Sequence, residues 1–139
     1  GHQHVCEIER ELSLQAGRDV TVTFTSHVVP VCRGIMSTLY GNLKTAMTEA
    51  QVLEVYREFY KADRFVRVFD SNAPIGSPHV RGTNFVNLVV SVDARAQRLR
   101  VVSYIDNLVK GQAGSACQNM NLICGLPETM GLDRPGMFP

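Results

Sequence analysis

The chain has no long apolar run. Nothing in it approaches the ~18 consecutive apolar residues of a membrane span, and its most apolar stretches, near 28–31 and 86–90, are strand-length. It has no excess of either charge: 14 Lys and Arg stand against 13 Asp and Glu, for a net charge of +1. That balance excludes a strong global attraction for nucleic acid or for an anionic membrane. No C-x-x-C pair occurs, which argues against a zinc ribbon or a thioredoxin-like motif. No G-x-G-x-x-G follows a strand, so the dinucleotide fingerprint is missing too. The start carries neither a basic segment nor an apolar stretch, so it does not read as a signal peptide. It also has no initiator Met, which suggests a chain cut from something longer. No internal repeat is visible.

What is present is an ordinary globular balance. The chain has 139 residues, 45% apolar and 19% charged, enough for one domain with its own core. A dinucleotide-dependent enzyme normally needs a nucleotide domain and a substrate domain, and this length holds one of them. Cys6, Cys32, Cys117 and Cys124 read as buried free thiols of a reducing, cytoplasmic protein.

Local pattern gives the order α-β-β-α-β-β-β-α. Residues 5–13 read as a short charged helix. Residues 20–26, VTVTFTS, alternate apolar residues with Thr and predict a strand with one wet face. Residues 31–43 predict a second extended stretch. Thr48 and Gln51 predict a capping box, and Val52, Val55, Tyr56, Phe59 and Tyr60 follow as one apolar stripe of an amphipathic helix. Residues 65–69 predict a strand, and 71–83, rich in Pro and Gly, a long loop of the kind that often carries function. Residues 84–92 and 99–105 predict an antiparallel hairpin. Residues 108–124 can form a helix, weakened by Gly111 and Gly114 and stopped by Gly125-Leu126-Pro127. This order predicts an α+β fold, a mainly antiparallel sheet with helices on one face. Valines on both faces of the 86–92 strand predict a second subunit over the uncovered face.

Three groups could carry chemistry. His2, His4 and Glu7 have spacing that suits a solvated terminus, an acid/base pair with a supporting carboxylate, or a divalent-metal site. Arg33-Gly34, Arg81-Gly82 and Lys110-Gly111 each set a cation beside a residue that allows close backbone approach. If they converge they make an anion site; otherwise they are surface charges. Gln118, Asn119 and Asn121 interrupt an apolar helix; they suit a packing or solvent-facing role, or they could read an amide-bearing ligand such as nicotinamide. Cys6 lies beside the histidines and is the only candidate nucleophile by proximity to them.

Taken together these motifs resemble the N-acetyl-gamma-glutamyl-phosphate reductase family. Gly1-His2-Gln3-His4-Val5-Cys6-Glu7-Ile8 resembles its G-H-R-H-x-P-E-I segment. Val29-Pro30-Val31-Cys32-Arg33-Gly34-Ile35 resembles V-P-x-x-R-G-I, and Val80-Arg81-Gly82-Thr83-Asn84 resembles V-x-G-[ST]-N. Ile105-Asp106-Asn107-Leu108-Val109-Lys110-Gly111, running on through Gln118-Asn119-Met120-Asn121-Leu122 to Gly125-Leu126-Pro127-Glu128-Thr129, resembles its C-terminal signature. Two positions depart: Gln3 stands for Arg, and Cys6 for Pro.

The resemblance implies an NADPH-dependent reductase of arginine biosynthesis, which turns an acyl phosphate into N-acetylglutamate semialdehyde. It implies that residues 1–139 are the substrate-binding and dimerisation domain, similar to the C-terminal domain of glyceraldehyde-3-phosphate dehydrogenase. The helix at 108–125 would pack on an N-terminal Rossmann domain that holds NADP and lies outside this chain. The family nucleophile sits in N-P-G-C-[YF], and no Pro-Gly-Cys occurs here, so the chain alone is expected to be inactive. His2 or His4 would activate the thiol and move protons, with Glu7 in support. Arg33 and Arg81 would hold the substrate, and Gln118, Asn119 and Asn121 would lie near the cofactor. The implied partners are a second copy, met through the sheet, and the small acyl phosphate, with no metal. Two other readings use the same residues: a non-enzymatic homodimerisation module, and a metal-binding domain through His2, His4 and Glu7.

Overall fold

The computed structural model describes residues 2–137. The chain divides into two compact units, Gly1–Val31 and Cys32–Pro139. The first is built on helix α1, Val5–Ala16, whose acidic first turn carries Glu7 and whose end is set by Gly17 at φ 62°. No residue of α1 is buried.

Residues 20–26 differ from the strand that their alternation predicts. They form no regular element and enter no sheet ladder. Side chains of α1 take up their backbone donors instead: Val20 N–H donates to Ser13 Oγ (2.9 Å) and Val22 N–H to Glu9 Oε1 (3.0 Å). A β-branched run supplies the strand propensity but not the partner strand.

The second unit is a four-stranded sheet in the order β1-β4-β3-β2, formed by β1 (Ile35–Asn42), β2 (Val66–Phe69), β3 (Val86–Asp93) and β4 (Arg98–Ile105). β4 pairs antiparallel with both β1 and β3, while β2 joins β3 in parallel. This is the expected α+β fold with a mainly antiparallel sheet, mixed by its one parallel pair, β2–β3. The β3–β4 hairpin closes where Asp93 Oδ1 accepts the N–H groups of Arg95 and Ala96 (both 3.0 Å). Residues 31–34 form a turn before β1, so Cys32 lies outside the strand.

Helix α2, Glu49–Phe59, begins with the predicted capping box at Thr48 and Gln51. It packs on one sheet face, where Val52 and Leu53 meet Leu88, Val90 and Val101. Its apolar residues do not make the single buried stripe that the spacing suggests. Tyr56 and Tyr60 are half-buried, but Val55 and Phe59 are 56% and 74% exposed. Leu53 takes a core position that the predicted stripe omits. The opposite sheet face carries Met36, Thr38 and Tyr40 of β1 beside Tyr104, Val102 and Arg100 of β4. Met36 and Tyr40 there are 62% and 64% exposed.

The predicted helix at 108–124 forms in two pieces. A π-helical turn, Val109–Ala113, precedes helix α3, Gly114–Ile123. Wide backbone bonds mark the turn: Gly111 N–H to the Asp106 carbonyl (2.9 Å) and Ala113 N–H to that of Leu108 (3.0 Å). α3 turns a polar stripe inward, with Gly114 and Asn121 buried and Gln118 half-buried. Its apolar residues face out, with Met120, Leu122 and Ile123 at 53%, 55% and 84% exposure. Cys6, Cys32, Cys117 and Cys124 are all free and exposed, not buried as their composition class suggests. Cys6 is on α1, which buries nothing, Cys32 lies in the bend before β1, and Cys124 caps the end of α3.

Candidate active site

In the first unit, His2 and His4 do not lie on an extended segment. A turn closes between them: Val5 N–H donates to the His2 carbonyl (3.1 Å) and His4 N–H to His2 Nδ1 (3.3 Å). His4 takes a helical conformation as the residue before α1. The turn sets the two rings edge to face at 4.9 Å, and the His2 ring lies 5.1 Å from that of Phe24. Both imidazoles and Glu7 are exposed. The Cys6 thiol is hydrogen-bonded to the Gln3 carbonyl (3.3 Å). Among the described residues, no group of three or more His, Cys, Asp or Glu side chains could hold a metal ion, so His2, His4 and Glu7 do not form a metal site.

In the second unit the three glycines of the cation-glycine pairs converge by their backbone on one segment, but of the three cations only Arg33 joins them there. Asp106, at the end of β4, has no exposure. Its Oδ2 accepts Gly82 N–H (2.7 Å), and its Oδ1 accepts the N–H groups of Leu108 and Val109 (2.8 Å each). Arg33 Nη2 donates to Oδ1 (3.2 Å). Arg33 Nε lies 2.7 Å from Oδ2, but its N–H points off that oxygen, so the contact is ionic rather than hydrogen-bonded. Gly34 N–H donates to Asn107 Oδ1 (2.8 Å). Thus Gly34, Gly82 and Gly111 all bring their backbone to the 105–107 segment. Burial pushes the Asp106 carboxyl up, but the Gly82 and Val109 amides, Arg33 and the Leu108 amide together hold it below its ordinary value. The signal that could have found it is an Asp between a strand and a helix, the residue type that caps orphan N–H groups.

Arg81 is half-buried, and its Nε is buried with no hydrogen-bond partner. Lys110 turns away from Asp106 and donates from Nζ to Gln118 Oε1 (2.8 Å). Its burial lowers the ammonium pKa, against the raising effect of Glu128 and Asp63. Gln118 Oε1 also accepts from Asn84 Nδ2 (2.9 Å), and Gln118 Nε2 donates to Glu128. Asn121 Nδ2 donates to the carbonyls of Glu128 (3.1 Å) and Met130 (3.0 Å). Gln118 and Asn121 therefore spend their amides inside the protein. Asn119 is exposed, and no hydrogen bond among the described residues engages its side chain.

Comparisons with known proteins place the chain in a family. A family model described as "Semialdehyde dehydrogenase, dimerisation domain" matches residues 1–107. The chain belongs to this family. α3 lies beyond the residues that the semialdehyde dehydrogenase dimerisation domain matches. The chain is 51% identical over 138 residues to the N-acetyl-gamma-glutamyl-phosphate reductase of Geobacter metallireducens. It is 50% identical to that of Geobacter sulfurreducens. Each alignment takes in 99% of this chain and 40% of the relative, so the chain spans about two-fifths of their length. The family resemblance read from the motifs is thereby borne out. Among solved structures, aspartate semialdehyde dehydrogenase II from Vibrio cholerae matches with a TM-score of 0.56 at 20% identity. That match covers 70% of this chain and 29% of the other, and it shows the shared fold.

Proposed function

We propose that this chain is the substrate-binding and dimerisation domain of an NADPH-dependent reductase that converts N-acetyl-gamma-glutamyl phosphate to the semialdehyde. The observation that carries this is the convergence of Arg33 and of the Gly34, Gly82 and Gly111 backbones on one segment of a chain with such relatives. Arg33 and Arg81 hold the substrate's negative groups, where guanidinium geometry suits carboxylate and phosphate. His2 or His4 moves the protons, since imidazole titrates near neutral pH, and Glu7 supports them. The thiol that forms the acyl intermediate comes from outside these residues, because none of the four cysteines follows Pro-Gly.

NADPH supplies the reducing equivalents. Of the three amides on α3, Asn119 is free to reach a nicotinamide carboxamide. Gln118 and Asn121 build the platform beneath it. The outward apolar side of α3 suits packing on an N-terminal NADP-binding domain, as expected for 108–125. Longer relatives support that partner. A second copy covers the open sheet face, a reading supported by the family's description as a dimerisation domain. Four exposed free thiols suit a reducing cytoplasmic setting. Among the described residues, no helix is long and apolar enough to cross a membrane.

A chimera tests the reading. Residues 1–139 replace the matching part of the Geobacter metallireducens relative. The chimera is expected to reduce the acyl phosphate with NADPH, while the 139-residue chain alone turns nothing over. Replacing the acid/base histidine by Ala is expected to cost about 10²–10⁴-fold in rate. A folded but inactive chimera, or turnover by the isolated chain, overturns the proposal.

A further inference from the structure

We propose that Asp106 is a positioning residue: it holds one side of the Arg33 guanidinium so that the other stays open to an anionic substrate group, and it anchors the Arg81-Gly82 loop at the same carboxylate. The proposal rests on the reading of Arg33 and Arg81 as substrate-holding residues.

Asp106 has little freedom of its own. Three backbone N–H groups from two separate segments fix its two oxygens. Arg33 then meets that fixed carboxylate through Nε and Nη2 together, which sets the plane of its guanidinium. Among the described residues no hydrogen bond or ion pair engages Nη1, and the side chain keeps 24% exposure. An unpinned arginine samples many rotamers, and a planar cation selects a carboxylate or phosphate only when its fork is aimed.

Gly82 N–H and Arg33 Nε share Asp106 Oδ2, each at 2.7 Å. One oxygen therefore ties the loop bearing Arg81 to the strand entry bearing Arg33. Asp106 offsets the charge of Arg33, whereas Arg81 has no ion-pair partner among the described residues. The pair would then recognise an anion by direction at Arg33 and by net charge at Arg81.

The test is ¹⁵N NMR on the 139-residue chain with N-acetyl-L-glutamate as the probe. In the wild type the probe is expected to shift the Arg33 Nε–H and Gly82 amide signals. In Asp106→Asn, with β3–β4 amide dispersion retained, the Arg33 Nε–H signal is expected to broaden and affinity to fall at least tenfold. Arg33→Lys covers the case in which Asp106→Asn does not fold: it keeps the charge and leaves the three amide bonds of Asp106 in place. Its affinity is expected to fall similarly. An unchanged Arg33 signal in Asp106→Asn, or wild-type affinity in either folded variant, overturns the positioning role. No probe shift in the wild type overturns the substrate reading itself, and with it the anion that Asp106 would serve.

Discussion

A carboxylate as buried as Asp106 is tolerated because donors meet both of its oxygens. Its folded pKa lies below the ordinary carboxylate value, so its stabilisation is complete above about pH 4. That stabilisation is lost as the pH falls through the lower, folded value. Asp106→Asn removes the titrating charge and turns NH₂ hydrogens toward N–H donors. The variant is expected to lose about 1–3 kcal/mol at neutral pH. Its acid limb should also be flatter than that of the wild type. Denaturant melts between pH 7 and pH 2 check both, and superimposable acid limbs would show that Asp106 is not charged when buried. At this scale the sequence displays residue types that do chemistry, such as His2, His4, Arg33 and Arg81. It does not display Asp106, because its partners Gly82 and Arg33 stand 24 and 73 residues away. Nor does it show that Gln118 and Asn121 spend their amides on the protein itself.

Elements that satisfy their own backbone were legible in the sequence. The capping box of α2, the β3–β4 hairpin and the break at Gly125 follow from local rules of capping, alternation and turn chemistry. Elements that need a distant partner were not. Residues 20–26 have strand composition and no strand beside them. The 108–124 segment splits because Asp106 caps Leu108 and Val109, and because α3 starts against Asn84. Gly114 marks that contact. A Cβ there would lie 2.7 Å from Val109 Cγ1 and 2.8 Å from the Val109 carbonyl oxygen, and closer still to Asn84 Oδ1. Helix propensity alone would make Gly114→Ala stabilising by about 1 kcal/mol. The crowding predicts the opposite sign, a loss of about 1–3 kcal/mol. Gly111→Ala is the control, since its Cβ would meet nothing nearer than the Asp106 carbonyl oxygen at 3.4 Å. Thermal melts of the two variants decide, and a Gly114→Ala chain as stable as wild type would mean that α3 can shift freely.

For the whole molecule, the sheet is covered on one face by α2 and left open on the β1–β4 part of the other. There Met36 and Tyr40 stand beside the half-buried Val102 and Tyr104, and β1 is an edge strand exposed along nearly its whole length. An edge strand with exposed apolar side chains invites another chain unless it is covered. A second copy related by a two-fold axis would cover both at once, since each subunit would present the same patch to the other. Thr38 lies at the middle of this patch, opposite Val102 in the β1–β4 register. Thr38→Arg adds one like charge per subunit at that centre and touches no core residue. The wild-type chain is expected to sediment at twice the mass of one chain, and Thr38→Arg at the monomer mass with an unchanged thermal midpoint. A wild type that stays monomeric at about 50 μM, where an interface of standard size would be occupied, would remove the second copy. A variant that stays dimeric would move the interface off this face, leaving the outward side of α3 as the next surface to probe.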